Sequence, residues 1–283
     1  MDRFGLFINM IQLHSSLAQH LANLQSEGRI TFTRDEAIAA LGITKAAFLK
    51  AAARLQQRHL LLNPRHGFYV AVPPQFLSWK APPPSWYIDA LMHHEGRPYY
   101  VGLLKAAELH GASHQAVMEF QVITDRQLPR IKAGRSWITF HFRKNMNSVR
   151  AGIIDRQTDT GTMKVSSAEL TALDLLQYIH AAGGIDAVAT VLADLGRKID
   201  GKKLSAMAKH FDRACAQRLG YLLDRLGHAE RAQALHSYLS AIKTMAWVKL
   251  EPLKRGAKAP ESKPVERNER WRVSVQRHPE VDE

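Results

Sequence analysis

The chain has 283 residues, 46% of them hydrophobic, which permits a packed core and excludes a disordered polymer. Lys and Arg outnumber Asp and Glu by 39 to 26, a net charge of +13, so the expected partner is anionic, with nucleic acid ahead of an acidic protein or a membrane surface. The single cysteine, Cys215, excludes an internal disulfide, and no export signal or apolar run near the ~20 residues of a membrane span is evident, so the expected compartment is the cytoplasm.

Residues 8–27 place Ile8, Ile11, Leu17, Leu21 and Leu24 at helical spacing and predict a helix that ends at Gly28. Thr33, followed by Asp35 and Glu36, predicts a second helix to Leu41. A threonine N-cap satisfies free backbone amides, and acids suit the positive end of the helix dipole. Gly42-Ile43 is a tight turn, after which Thr44 caps a third helix to about His59. A strand over Leu60–Leu62, a turn over Asn63-Pro64-Arg65-His66-Gly67 and a strand over Phe68–Val72 follow. Helix, helix, glycine turn, helix, hairpin is the order of a winged helix-turn-helix, and a DNA-binding domain is expected at residues 1–80.

The third helix carries most of the functional argument. At ~100° per residue, Phe48, Leu49, Ala52 and Leu55 share an apolar arc. Lys50, Arg54, Gln57 and Arg58 share another, with no carboxylate among them. Alanines at 46, 47, 51 and 53 keep the helix slim enough for a major groove about 12 Å wide. Thr44 and Lys45 stand at the N-terminal end, which usually meets bases, and Arg65 and His66 are expected at the wing tip beside phosphates. A solvated basic face on an amphipathic helix is the competing reading.

Pro73, Pro74 and Pro82-Pro83-Pro84 mark the expected domain boundary, since proline lacks an amide donor and restrains its neighbour. Beyond it lie predicted helices at 85–95 and 98–110, strands at Val117–Thr124 and Ser136–Arg143, a strand pair around Gly161, and helices from Ala168 to Lys243. Residues 254–269 are charged and proline-bearing and read as a mobile loop. Trp271, Val273 and Val275 then alternate with polar residues as in a half-buried strand. The expected fold class is α+β: a winged helix-turn-helix, then a larger mixed α/β C-terminal domain at 85–283.

Catalytic signals are sparse. The chain has no P-loop, dinucleotide fingerprint or nucleophile elbow. Cys215 reads as a small core residue. His93-His94 and the pair His110/His114 lack the companions of a metal site, and Gly111 interrupts the second pair. Glu119 and Gln121 on one strand distantly echo a nuclease motif but without its lysine. No cofactor, metal or catalytic residue is expected.

Four blocks carry a resemblance: PYYVGLLKAAELHGASHQAVMEFQVIT (98–124), SSAELTALDLLQYIHAAGGIDAVATVLADL (166–195), AQRLGYLLDRLG (216–227) and RWRVSV (270–275). Together and in order they resemble the AbiEi antitoxin family of type IV toxin–antitoxin systems, with Arg218-Leu219-Gly220 the most distinctive core. The resemblance implies a protein that represses its own operon by binding promoter inverted repeats in double-stranded DNA. It also implies that the C-terminal domain counteracts a nucleotidyltransferase-like toxin without requiring a stable complex, and a part in phage defence. Within these blocks Glu169, Asp174 and Arg218 are read first as structural residues and second as antitoxin candidates. The basic residues Arg126, Arg130, Lys132, Arg135, Arg143 and Lys144 read as a surface open to DNA, toxin or RNA. The alternatives are a winged-helix regulator of another defence locus with a ligand-sensing C-terminal domain, and a metal-dependent nuclease.

Overall fold

A computed structural model describes residues 16–112, 118–252 and 263–281. In chain order its elements are α1 (Leu17–Ser26), β1 (Thr31–Thr33), α2 (Arg34–Leu41), α3 (Lys45–Gln57), β2 (Leu61–Arg65), β3 (Phe68–Ala71), α4 (Ile88–His94), β4 (Tyr99–Val101), α5 (Leu103–Leu109), β5 (Glu119–Thr124), β6 (Ile131–Ala133), β7 (Ser136–Phe142), β8 (Ile153–Thr158) and β9 (Gly161–Ser166). Then follow α6 (Ala168–Gln177), α7 (Ile185–Leu195), α8 (Gly201–Ala208), α9 (Arg213–Arg225), α10 (Ala229–Ser240), β10 (Val248–Lys249), β11 (Glu266–Asn268) and β12 (Val273–Val275). The fold is α+β, and its sheets run β1-β3-β2, β6-β7-β5-β4-β9-β8 and β10-β12-β11. Among the described residues no helix is long and apolar enough to cross a membrane.

The chain forms two compact units. The first comprises Met1–Pro98, Pro129–Thr139 and Gln157–Met163. Its start follows from local chemistry. Thr33 and Glu36 form a reciprocal capping box at α2, Gly42 ends that helix at φ +63°, and the Thr44 hydroxyl accepts from Ala47 N at α3. β3 pairs antiparallel with β1 and β2, and the ladder shifts between Leu62 and Arg65, where Pro64 has no amide to offer. Leu17, Leu21, Leu24, Phe48, Ala52 and Leu55 pack on this sheet with Phe32 and Tyr69, whose rings stack at 5.6 Å. The expected helix over 8–27 is present from Leu17; Ile8 and Ile11 lie outside the described residues.

The expected boundary at the prolines is displaced. Phe76 meets Trp86 edge-on at 5.0 Å, and the Trp86 indole donates to Asp159 at 2.7 Å. Thr160 donates to the Trp86 carbonyl at 2.6 Å. Gly134, at φ +59°, lies so close to the Trp79 carbonyl that an added Cβ would sit 2.0 Å from it. The aromatic residues among the prolines thus need partners from 129–139 and 157–163, and the stretch with α4 is built into the first unit rather than serving as a linker.

The second unit comprises Tyr99–Leu128, Phe140–Arg156 and Lys164–Glu283. Its centre is α6, buried from Ala168 to Leu176 on every face, as a helix without a polar stripe must be. α5, α7, α8 and α9 surround it. At the C-terminal end β12 pairs parallel with β10 and antiparallel with β11. The expected terminal strand is therefore present. Residues 266–268, expected as part of a mobile loop, are a strand instead, because β12 offers their backbone a ladder despite their charge. Residues 253–262 lie outside the described part.

Candidate functional site

In α3, Phe48, Ala52 and Leu55 are buried, whereas Lys45, Lys50, Arg54 and Gln57 are exposed, as are Thr44 and Arg58 at its caps. Lys50, Arg54 and Arg58 form no ion pair among the described residues. Asp35, on α2, is bound to Arg34 at 2.9 Å, and that bond, aided by the charges of Lys45 and His66, lowers its pKa. The face therefore presents unpaired cations on a helix whose opposite side is locked into the core. The wheel is corrected at one position: Leu49, expected in the apolar arc, is 45% exposed. Its place at the margin of that arc turns it outward once Phe48 and Ala52 seat on the sheet.

The β2–β3 hairpin, expected to be a wing, differs from expectation at its tip. Arg65 closes β2, and its guanidinium pairs with Glu95 at 3.5 Å and donates to the Pro129 carbonyl at 2.5 Å. Burial lowers its pKa, with Glu95 opposing. Arg65 is thus tied down within the first unit rather than free beside phosphates, because residues distant in sequence supply its partners. His66 is exposed, lies 3.4 Å from Arg34, and its carbonyl is bonded to the His94 ring at 3.1 Å. Asn63 donates to the carbonyls of Arg65 and Phe68 and so closes the turn. In the same unit, the β6–β7 hairpin exposes Arg130, Lys132 and Arg135, and Arg130 stacks over Trp137 at 4.1 Å.

In the second unit the three candidate residues are integral to packing. Glu169 accepts from the Ser167 hydroxyl and from Asp200 N, both at 2.8 Å, and so joins the starts of α6 and α8. Asp174 is fully buried; Tyr100 donates to it at 2.7 Å and Arg143 pairs with it. Burial pushes the Asp174 pKa up to about 6, against the pull of Arg143 and Tyr100. Burial also works against the Arg143 charge, yet Asp174, Tyr100 and Tyr178 hold its pKa above the usual value. Arg143 further packs over Phe211 at 4.7 Å, which removes it from the expected surface patch. Its sequence context, basic residues on a strand end, gave no hint of a buried acid 31 residues away.

Arg218 donates to the Lys249 carbonyl at 2.8 Å and thereby holds β10. Gln217 donates to the carbonyls of Ala246 and Trp271, both at 2.9 Å. Gly220 leaves room for Trp271, since an added Cβ would lie 2.0 Å from its ring. The Trp271 indole donates to Asp224 at 2.7 Å. The distinctive segment of α9 is thus the seat of the C-terminal sheet.

Cys215 is buried, donates to the Leu173 carbonyl at 3.3 Å, and its pKa is pushed up to about 12 by burial, the state of an unreactive thiol. His110 is bonded to the Ser166 carbonyl at 2.7 Å; His114 lies outside the described residues. Glu119 opens β5 at the surface, and among the described residues no group of three His, Cys, Asp or Glu side chains is placed to hold a metal ion.

The second unit thus combines helices and strands around the buried Asp174–Arg143 pair, with its terminal sheet seated on α9. Residues 100–225 match the model of the AbiEi antitoxin C-terminal domain, a match that begins one residue after this unit starts and ends with α9. Over those residues the chain is similar to the AbiEi antitoxins, and the match supports an antitoxin role. The fold is similar to that in the crystal structure of the RV2827C protein from Mycobacterium tuberculosis, with a TM-score of 0.67 at 14% identity, over 92% of this chain and 90% of that one. No curated protein matches the sequence.

Proposed function

We propose that the protein is a DNA-binding autorepressor and antitoxin of a type IV toxin–antitoxin system, acting in the cytoplasm and not as an enzyme. Residues of the first unit form a winged helix-turn-helix that binds inverted repeats in its own promoter. The second unit counteracts a nucleotidyltransferase-like toxin, with a role in phage defence. The observation that carries the DNA half is the face of α3: Lys45, Lys50, Arg54 and Arg58 exposed, opposite a buried Phe48, Ala52 and Leu55. Cations in this arrangement gain affinity by releasing counterions from phosphates, and Lys50 and Gln57 suit guanine and adenine edges. Arg130, Lys132 and Arg135 extend the proposed surface, whereas Arg65 serves to brace the wing. The antitoxin half rests on the family match over residues 100–225.

The test uses the full chain. Lys50→Ala/Arg54→Ala is expected to weaken binding to the promoter duplex and to lower the slope of log affinity against log salt by about one for each lost phosphate contact. Unchanged binding with the fold intact would refute the interface. The same double variant, co-expressed with the toxin, is expected to rescue growth as well as the wild type. Failure of the wild type to rescue would refute the antitoxin half.

A further inference from the structure

We propose that Leu49 reads DNA sequence by packing on the 5-methyl group of thymine in the major groove, an inference that rests on α3 being the recognition helix. Helical spacing favours burying a leucine at this position, yet Leu49 is 45% exposed while Phe48 beside it is fully buried. It is the fifth of the 13 residues of α3, in the N-terminal half that faces bases in helices of this kind. Three residues before it and four after it, on the same side of the helix, stand Ala46 and Ala53, both exposed and carrying only a methyl. The isobutyl group of Leu49 therefore stands above its surroundings as a single apolar knob. Its borders are cationic, with Lys50 next to it and Lys45 one turn before, which favours a polyanion over an apolar protein partner.

Thymine is the one base that presents an apolar group in the major groove, so DNA complementary to this knob carries a thymine beneath it. Lys45 and Lys50 supply affinity through phosphate or guanine, and Leu49 supplies the preference for A·T over G·C at one position of each half-site.

The test binds the full-length chain to its promoter duplex at low salt, then replaces each thymine in turn by deoxyuridine, which keeps the base pair and removes only the methyl. For the wild type, at least one replacement in each half-site is expected to weaken binding about fourfold, the worth of one buried apolar carbon. Leu49→Ala is expected to bind the thymine duplex weaker by a similar factor and to be indifferent to deoxyuridine at that position. Leu49→Gln provides a second variant, and circular dichroism checks that both fold. Wild-type binding that no deoxyuridine affects, or variants that keep the wild-type sensitivity, would overturn the proposal while leaving the DNA reading intact. Absence of any duplex binding by the wild type would overturn that reading and this one together.

Discussion

Asp174 is a carboxyl group whose proton is held more tightly in the folded protein than in the unfolded chain, because burial raises its pKa from 3.8 to about 6. The stability that the neutral acid contributes is complete below about pH 4 and is lost as pH rises through 6. Asp174→Asn cannot titrate. The stability advantage of the wild type over this variant is therefore expected to shrink by about 2 kcal/mol between pH 4 and pH 7, read by urea unfolding at each pH. A gap independent of pH would mean that Arg143 already keeps Asp174 ionised at pH 4. A second residue-scale expectation concerns Gly220. Its Cα faces the Trp271 ring with no space for a methyl group, so Gly220→Ala is expected to cost about 1–3 kcal/mol or more by overpacking. The measurement is the shift in denaturation midpoint, and a shift under about 0.5 kcal/mol would show that the ring moves aside freely.

At the scale of elements, what could be read from the sequence was what local chemistry writes. Thr33 with Glu36, Gly42 and Thr44 are signals that fall within a few residues of the structures they specify, and α2 and α3 lie where those signals put them, whereas β2 runs on to Arg65 through the first part of the expected turn. Thr33→Ala removes the hydroxyl that accepts from Glu36 N and is expected to destabilise the first unit by about 1 kcal/mol, seen as a lower melting temperature. Elements that escaped notice are short or depend on remote partners. β6 is three residues long with one exposed lysine between two buried positions, a pattern too brief to stand out. β11 is Glu266-Arg267-Asn268, which has poor strand propensity and exists because β12 pairs with it. The same limit governs the sites. The cations of α3 are local and legible; the ties of Arg65 to Glu95 and Pro129, and of Asp174 to Tyr100 and Arg143, depend on residues that only the fold brings together.

At the scale of the whole molecule, the chain leaves the first unit at Pro98 and returns to it twice, over Pro129–Thr139 and Gln157–Met163. A fragment ending at Pro98 keeps the N-terminal cluster around Phe32, Phe48 and Tyr69 but loses the Asp159 partner of Trp86 and the hairpin at Gly134 beside Trp79. Such a fragment is expected to unfold at a lower temperature than the same residues in the full chain, with Trp79 and Trp86 fluorescence more exposed to an aqueous quencher. Equal melting would show that the returning segments add nothing to the first unit.

The two returns also impose an order on synthesis. The Trp86–Asp159 bond spans 73 residues, so the first unit cannot be finished when its own N-terminal stretch leaves the ribosome. It waits until Met163 has been made, by which time much of the antitoxin domain exists. A chain aborted early would then carry α3 in a first unit that lacks its returning segments. Translation itself thus ties completion of the first unit to synthesis of the opening part of the second.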